Sequence, residues 1–279
     1  MKRAFVKMHG CGNDYIYFDC FETGFEHPDA AAIRLSDRHK SIGGDGIVLI
    51  CPSDVADAKM RMFNIDGSEG KMCGNAIRCV GKYLYDTGRV KSETVRIETL
   101  SGIKELLLTI EQGVATAARV DMGPAELRPE KIPVKLTLPR VMEETVTIGG
   151  QRVHISCVSM GNPHCVVFVQ DVDSMELEKI GPVYEHAPLF PERVNTEFIQ
   201  VMGPNELKMR VWERGSGETM ACGTGACAAA VAAVENGHCT KNAPVTIHLR
   251  GGDLSVEYTD KTVYMTGRAE LAFTGEVEL

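Results

Sequence analysis

Cys73-Gly74-Asn75-Ala76-Ile77-Arg78-Cys79-Val80-Gly81-Lys82-Tyr83-Leu84-Tyr85-Asp86-Thr87-Gly88 decides the fold, because the chain repeats its pattern. A second run opens at Cys222-Gly223-Thr224-Gly225-Ala226-Cys227 and closes at Gly237, so both ends are displaced by 149 residues. The same offset carries Gly12-Asn13 onto Gly161-Asn162 and Phe63-Asn64 onto Trp212-Glu213. Similarity at one offset in several separated places is the signature of a duplicated domain. Both cysteine-led runs read as helices with little or no polar face. Ile77, Val80, Tyr83 and Leu84 cover most of the first, and the second is nearly all Ala, Val and Cys. A helix apolar all round is buried. Gly88 and Gly237 stand where a C-terminal cap is expected.

Around the helices, short β-rich segments dominate: 3–8, 15–20, 47–51, 60–64, 95–99, 105–110 and 115–121 in the first half. Segments 153–158, 165–169, 197–201, 207–213, 245–248, 254–258 and 263–266 repeat the theme. Residues 29–39 read as an amphipathic helix and 174–180 as a short one. The proline-bearing stretch 122–142, with Pro124, Pro129, Pro133 and Pro139, reads as the crossing between halves. The expected fold is α/β of the α+β kind, with two pseudo-symmetric duplicated domains. Each is a curved, mostly antiparallel sheet about a central buried helix, with an active site in the cleft between them. The expected domains are 1–121, with 268–279 returning to it, and 122–267.

The 279 residues, 44% hydrophobic and 24% charged, suit a globular protein with a well-buried core. A net charge of −8 without a basic patch excludes a nucleic-acid partner. The start, Met1-Lys2-Arg3-Ala4-Phe5-Val6-Lys7, lacks a signal peptide's apolar run, and no stretch is long enough to span a bilayer. The expected setting is cytosolic, with no membrane partner. In that compartment the ten cysteines are not read as disulfides, and without a Cys-x-x-Cys they are not read as a metal site.

A cysteine heading a buried helix has a chemical use. Unpaired N–H groups at a helix N-terminus favour thiolate and form an anion site, so a substrate carboxylate can dock where the base is generated. Gly74 and Gly223 leave room for close approach. Taken singly, a cysteine in such a place is more often a small buried residue, and Asn beside Gly is usually turn chemistry. Matching positions, matching flanking glycines and matching upstream Gly-Asn pairs make the functional reading the stronger. Two equivalent thiols suit removal of a proton from one face of a carbon and its return to the other.

The motifs Lys7-Met8-His9-Gly10-Cys11-Gly12-Asn13-Asp14, Phe63-Asn64-Ile65-Asp66-Gly67-Ser68, Met72-Cys73-Gly74-Asn75 with Arg78-Cys79, and Gly161-Asn162-Pro163-His164 occur in order. With Val211-Trp212-Glu213-Arg214-Gly215 running on to Ala221-Cys222-Gly223-Thr224-Gly225, they make the chain resemble the diaminopimelate epimerases over nearly its whole length. The resemblance implies a cofactor-independent isomerase interconverting LL- and meso-2,6-diaminopimelate in lysine and peptidoglycan-precursor synthesis. It also implies a homodimer. Cys73 and Cys222 would be the acid/base pair. The backbone at Gly74, Asn75, Gly223 and Thr224 would hold the carboxylate at the reacting centre. Asn64, Asn162, Asn195 and Arg214 would hold the distal end of the substrate, Asn13 would contact it, and Glu213 and His164 would lie near the thiols. One departure stands out: some relatives carry Gln after Gly-x-Asp, whereas this chain reads Gly43-Gly44-Asp45-Gly46.

The near alternative is a proline or other amino-acid racemase of the same fold. From another class, Gly223-Thr224-Gly225-Ala226-Cys227-Ala228 fits the dinucleotide pattern G-x-G-x-x-A, but no strand leads directly into it and no acidic residue follows at the required distance.

Overall fold

The computed structural model describes residues 2–279 and divides into two compact units. One comprises the chain up to Asp121 with Thr266–Leu279, the other Met122–Met265. The first begins with β1 (Lys2–Gly10), β2 (Asn13–Asp19), α1 (Pro28–Ser36), β3 (Gly46–Cys51), β4 (Ala58–Asn64) and β5 (Glu69–Gly70). It continues with α2 (Gly74–Asp86), β6 (Thr94–Thr99), β7 (Gly102–Glu111) and β8 (Val114–Gly123). The second contains β9 (Glu144–Ile148), β10 (Gln151–Ser159), β11 (Pro163–Phe168), α3 (Leu177–Glu185), β12 (Asn195–Gly203) and β13 (Glu206–Glu213). There follow β14 (Gly217–Glu218), α4 (Gly223–Glu235), β15 (Pro244–Leu249), β16 (Gly252–Tyr258) and β17 (Val263–Arg268), before β18 (Glu270–Glu278) returns to the first unit.

The two units share one wiring. In the first, the ladder runs β18–β1–β2–β3–β4–β6–β7–β8, with β2–β3 and β4–β6 parallel and the rest antiparallel. In the second it runs β9–β10–β11–β12–β13–β15–β16, with β11–β12 and β13–β15 parallel. A parallel pair needs a crossover, and each of the four contains a helix. The offset of 149 holds at both ends of β1 and β10, of α1 and α3, and of α2 and α4. The expected mixed fold, mostly antiparallel, is what is seen, with these parallel pairs added.

Each sheet is covered on both faces. α2 packs on β1, β2, β6 and β7, and α4 on β10, β11, β12, β15 and β16. Side chains alternate across a strand, so Ile16 and Phe18 join Ala31, Ala32 and Leu35 of α1 in one cluster. Tyr17 points the other way and donates its hydroxyl to Ala76 O of α2 (3.4 Å). α4 is buried from Gly225 to Ala233, as its composition demands. α2 differs by burying two cations, Arg78 and Lys82. Lys82 Nζ is satisfied by Ala115 O (2.7 Å) and Asp86 (2.7 Å). Gly88 (φ 74°) and Gly237 (φ 80°) cap both helices in the left-handed region, where a side chain is strained.

Two expected boundaries move. α1 stops at Ser36 rather than 39, where Asp37 turns extended and its carboxylate accepts from the N–H groups of His39 and Lys40. The helix expected over 174–180 lies at Leu177–Glu185 and contains Pro182. Gly181, just before it, sits where a Cβ would lie 2.2 Å from the Trp212 ring, so contact with β13 holds this segment helical despite the lost hydrogen bond.

Candidate active site

Cys73 and Cys222 are the N-caps of α2 and α4, both with extended backbone (φ −132°, ψ 122° and φ −120°, ψ 111°). Each thiol sulfur accepts from the amide three residues on: Ala76 N–H at 3.5 Å and Gly225 N–H at 3.4 Å. Each cysteine carbonyl takes the next amide, from Ile77 (3.0 Å) and Ala226 (2.9 Å). Helix geometry leaves the N–H groups of Gly74 and Asn75, and of Gly223 and Thr224, without an intrahelical acceptor. Both helices therefore start with a sulfur beside two amide donors able to hold an anion.

In the first unit the Cys73 thiol donates to Asn13 Oδ1 (3.3 Å), which also accepts from Asn75 Nδ2 (3.3 Å). Asn13 Nδ2 is held by Asp45 (2.7 Å), and Asp45 also takes the Asp14 amide (3.0 Å). Arg78, fully buried, donates to Gly74 O (2.9 Å), Asn75 Oδ1 (2.9 Å) and Arg268 O (3.2 Å). Gly10 makes this possible, since a Cβ there would lie 2.7 Å from Arg78 Nη2. Asp14 sits between Lys7 (2.6 Å) and Arg38 (2.6 Å), whose hydrogen bonds hold its carboxyl below the usual range against the opposing effect of burial. Asn64 closes the turn after β4, donating to Ser68 Oγ (3.0 Å). At Gly46 a Cβ would stand 2.1 Å from Phe63 O, so a larger residue requires a different local backbone.

In the second unit the Cys222 thiol, 5% exposed, lies 3.5 Å from Thr224 Oγ1 and close to the Glu213 carboxylate. Glu213 accepts from the Thr219 hydroxyl. His164, fully buried, places Nδ1 2.7 Å from Glu197 Oε1 and Nε2 3.0 Å from Asn162 Oδ1. Burial pushes the Cys222 thiol well above its ordinary value, and the charges of Glu213 and Glu197 add to this; bonds from Thr224 and Gly225 oppose it. The helix-terminus expectation of a lowered thiol pKa is thus reversed at Cys222, because desolvation and two carboxylates outweigh a partial charge. Burial likewise pushes the Glu213 carboxyl up. Asn195 uses both ends of its amide, donating to Pro163 O (2.9 Å) and accepting from Arg214 N–H (2.9 Å). The Arg214 guanidinium reaches Glu192 O (2.9 Å).

The expected residues thus gather into two groups. Asn13, Gly74 and Asn75 adjoin Cys73, and Asn64 closes the turn after β4. Glu213, Gly223 and Thr224 adjoin Cys222, His164 and Asn162 connect to it through Glu197, and Asn195 fixes the backbone of Arg214. Sequence reading missed Glu197 and Asp45. Glu197 sits on β12 between Thr196 and Phe198, both buried, and only its pairing with His164 reveals it. Its Oε2 is buried with no hydrogen-bond partner among the described residues, and its Oε1 lies 2.6 Å from where a Cβ on Gly225 would be.

The family described as Diaminopimelate epimerase matches residues 5–128 and 156–272. This chain belongs to that family. Among its relatives, the diaminopimelate epimerase of Acetivibrio thermocellus is 56% identical, covering 99% of this chain and 98% of its own length. That of Methanococcus maripaludis is 51% identical, covering 99% of both. Diaminopimelate epimerase family members thus align with it end to end, and the chain is an isomerase of the epimerase kind. The fold is shared more widely. A phenazine biosynthesis protein of the PhzF family from Bacillus anthracis superposes with TM-score 0.73 at 16% identity, covering 100% of both chains. A hydroxyproline epimerase from Agrobacterium vitis gives TM-score 0.73 at 13% identity, covering 100% of this chain and 93% of that one. No helix among the described residues is long and apolar enough to cross a membrane.

Proposed function

We propose that the protein interconverts LL- and meso-2,6-diaminopimelate by two-base chemistry, with Cys73 and Cys222 acting on one α-carbon from opposite faces. The observation that carries this reading is the paired capping geometry: two cysteines, one per duplicated unit, each with its sulfur on the third amide of a buried helix. Cys222 is suited to start as the protonated partner, since burial, Glu213 and Glu197 all favour its thiol form. Cys73, as thiolate, would remove the α-proton and Cys222 would deliver its own; the roles reverse with direction. Carbanion charge delocalised onto the α-carboxylate would fall on the amides of Gly74, Asn75, Gly223 and Thr224, a form of fixed-dipole stabilisation. Asn64, Asn162, Asn195 and Arg214 would hold the distal carboxylate and amine, with Arg214 suited to a two-pronged carboxylate contact. His164 would keep Asn162 oriented. No cofactor enters this scheme. We further read the enzyme as a cytosolic homodimer supplying lysine and peptidoglycan precursors; sedimentation of the purified protein tests the dimer.

Proton NMR of the reduced protein with the LL-substrate in D2O tests the chemistry. Deuterium should enter the α-position as the meso form appears, and both Cys73→Ala and Cys222→Ala should lose turnover. Absence of exchange by the wild type, with exchange on proline instead, would shift the reading to an amino-acid racemase.

A further inference from the structure

Two thiols remote from Cys73 lie side by side in the first unit. β2 and β3 run parallel with Asp19 opposite Ile50, so the next residues, Cys20 and Cys51, fall abreast. The Cys20 amide donates to Ile50 O (2.8 Å) and holds that register past the end of β2. Both side chains belong to the face that carries Ile16, Phe18, Ile47 and Leu49. Neighbouring strands are about 4.8 Å apart, within the roughly 4.4–6.8 Å between Cα atoms that a disulfide spans. The two thiols act on each other's proton affinity, and the Cys20 thiol also reaches Phe18 O (3.6 Å).

The surroundings are cationic. Arg3 Nη2 lies 3.5 Å from Cys20 Sγ, and Arg61 and Lys59 stand close to Cys51. The nearby carboxylates are already engaged: Glu69 by Arg61 (2.7 Å), Glu98 by Lys59 (2.9 Å) and Asp19 by Arg89 (2.7 Å). Cys20 is 6% exposed and Cys51 half-buried. The interaction between the two thiols pushes Cys20 up and Cys51 below its ordinary value, and the cations help Cys51 against burial. Cys157 and Cys165 are also abreast, on β10 and β11, but both are fully buried, and burial holds the Cys165 thiol well up.

We infer that Cys20 and Cys51 form a dithiol modification site for oxidised low-molecular-weight thiols, with Cys51 the attacking sulfur and Cys20 the resolving one. The Cys51 thiolate attacks one sulfur of RSSR, forming a mixed disulfide and releasing RS−. Cys20 then loses its proton and attacks the Cys51 sulfur, closing the Cys20–Cys51 bond and releasing a second RS−. The protein loses two hydrogens, which leave as two RSH. The site stands at the far ends of β2 and β3 from Asn13 and Asp45, so the bond leaves the Cys73 hydrogen bonds in place.

Incubation of the full-length reduced protein with oxidised glutathione, followed by alkylation and peptide mass spectrometry, tests this. A linked Cys20–Cys51 peptide should appear while Cys157 and Cys165 stay reduced. In brief alkylation of the reduced protein, Cys51 should label at least about ten-fold faster than half-buried Cys239, whose thiol burial pushes up, because each pKa unit changes thiolate tenfold. Cys20→Ser should stop at a glutathione adduct on Cys51, and Cys51→Ser should leave Cys20 unmodified. Labelling of Cys51 no faster than Cys239 would overturn the proposal even if neither variant folds. So would a Cys157–Cys165 bond forming at the same rate, or the absence of the adduct in a folded Cys20→Ser.

Discussion

The N-terminus of α2 and that of α4 have the same backbone and opposite chemical settings. Five residues past the first capping cysteine stands Arg78, its guanidinium spread over Gly74 O and Asn75; five past the second stands Cys227, buried among alanines. At the offset of 149, Asn64 becomes Glu213, Val48 becomes Glu197 and Tyr15 becomes His164. One thiol is thus set among amides and a buried cation, the other among carboxylates and an imidazole. Duplication supplies two equivalent frames, and a few substitutions make one thiol hold its proton. The two-base reaction proposed for these thiols needs that inequality, since at rest one partner must be charged and the other protonated.

The largest test of the comparison removes either sulfur. Cys73→Ala and Cys222→Ala should each lower turnover by about 10²–10⁴-fold, the usual worth of a positioned acid or base; a variant retaining near-wild-type kcat would break the equivalence of the two caps. Next, Arg78→Met leaves Asn75 Oδ1, Gly74 O and Arg268 O without their buried donor, and should cost about 3–5 kcal/mol in denaturant unfolding. Cys227→Ser, the matching position, should cost clearly less. Glu213→Gln removes a negative neighbour, so the Cys222 thiol should titrate at lower pH when followed by ultraviolet thiolate absorbance. Glu197→Gln should move it less, because Glu213 is the larger cause; an upward shift in either would contradict the assigned sign. The smallest effects should be equal: Gly88→Ala and Gly237→Ala each place a side chain at positive φ with open space around it, costing about 1 kcal/mol in unfolding free energy.

Much of this was legible in the chain because duplication doubles every signal. The capping cysteines, the glycines that end both helices and the all-apolar run from Ala226 are local patterns, and local patterns survive in sequence. What escaped depended on distant partners. Glu197 looks like one more polar residue on an alternating strand until β11 places His164 beside it. Arg78 in a largely buried helix gives no hint that its guanidinium finds carbonyl and amide oxygens both in its own first turn, at Gly74 and Asn75, and far along the chain at Arg268. The helix over Leu177–Glu185 runs through a proline because Gly181 lets it settle on Trp212, a contact fixed by the fold and not by propensity. β9 and β18 were not read as strands, although Val146 and Ile148, and Leu271, Phe273 and Val277, fall at alternate positions among polar neighbours.

β18 lies along β1, with Glu278 opposite Lys2 and Glu276 opposite Ala4. The first unit therefore lacks one edge of its sheet until the last strand has been synthesised, whereas the second unit is continuous in sequence. The half that is made first is the half that is finished last. The same adjacency places the two ends of the described chain side by side, so a short linker joining them, with new ends opened in an exposed turn, gives a circular permutant in which the first sheet can be completed early.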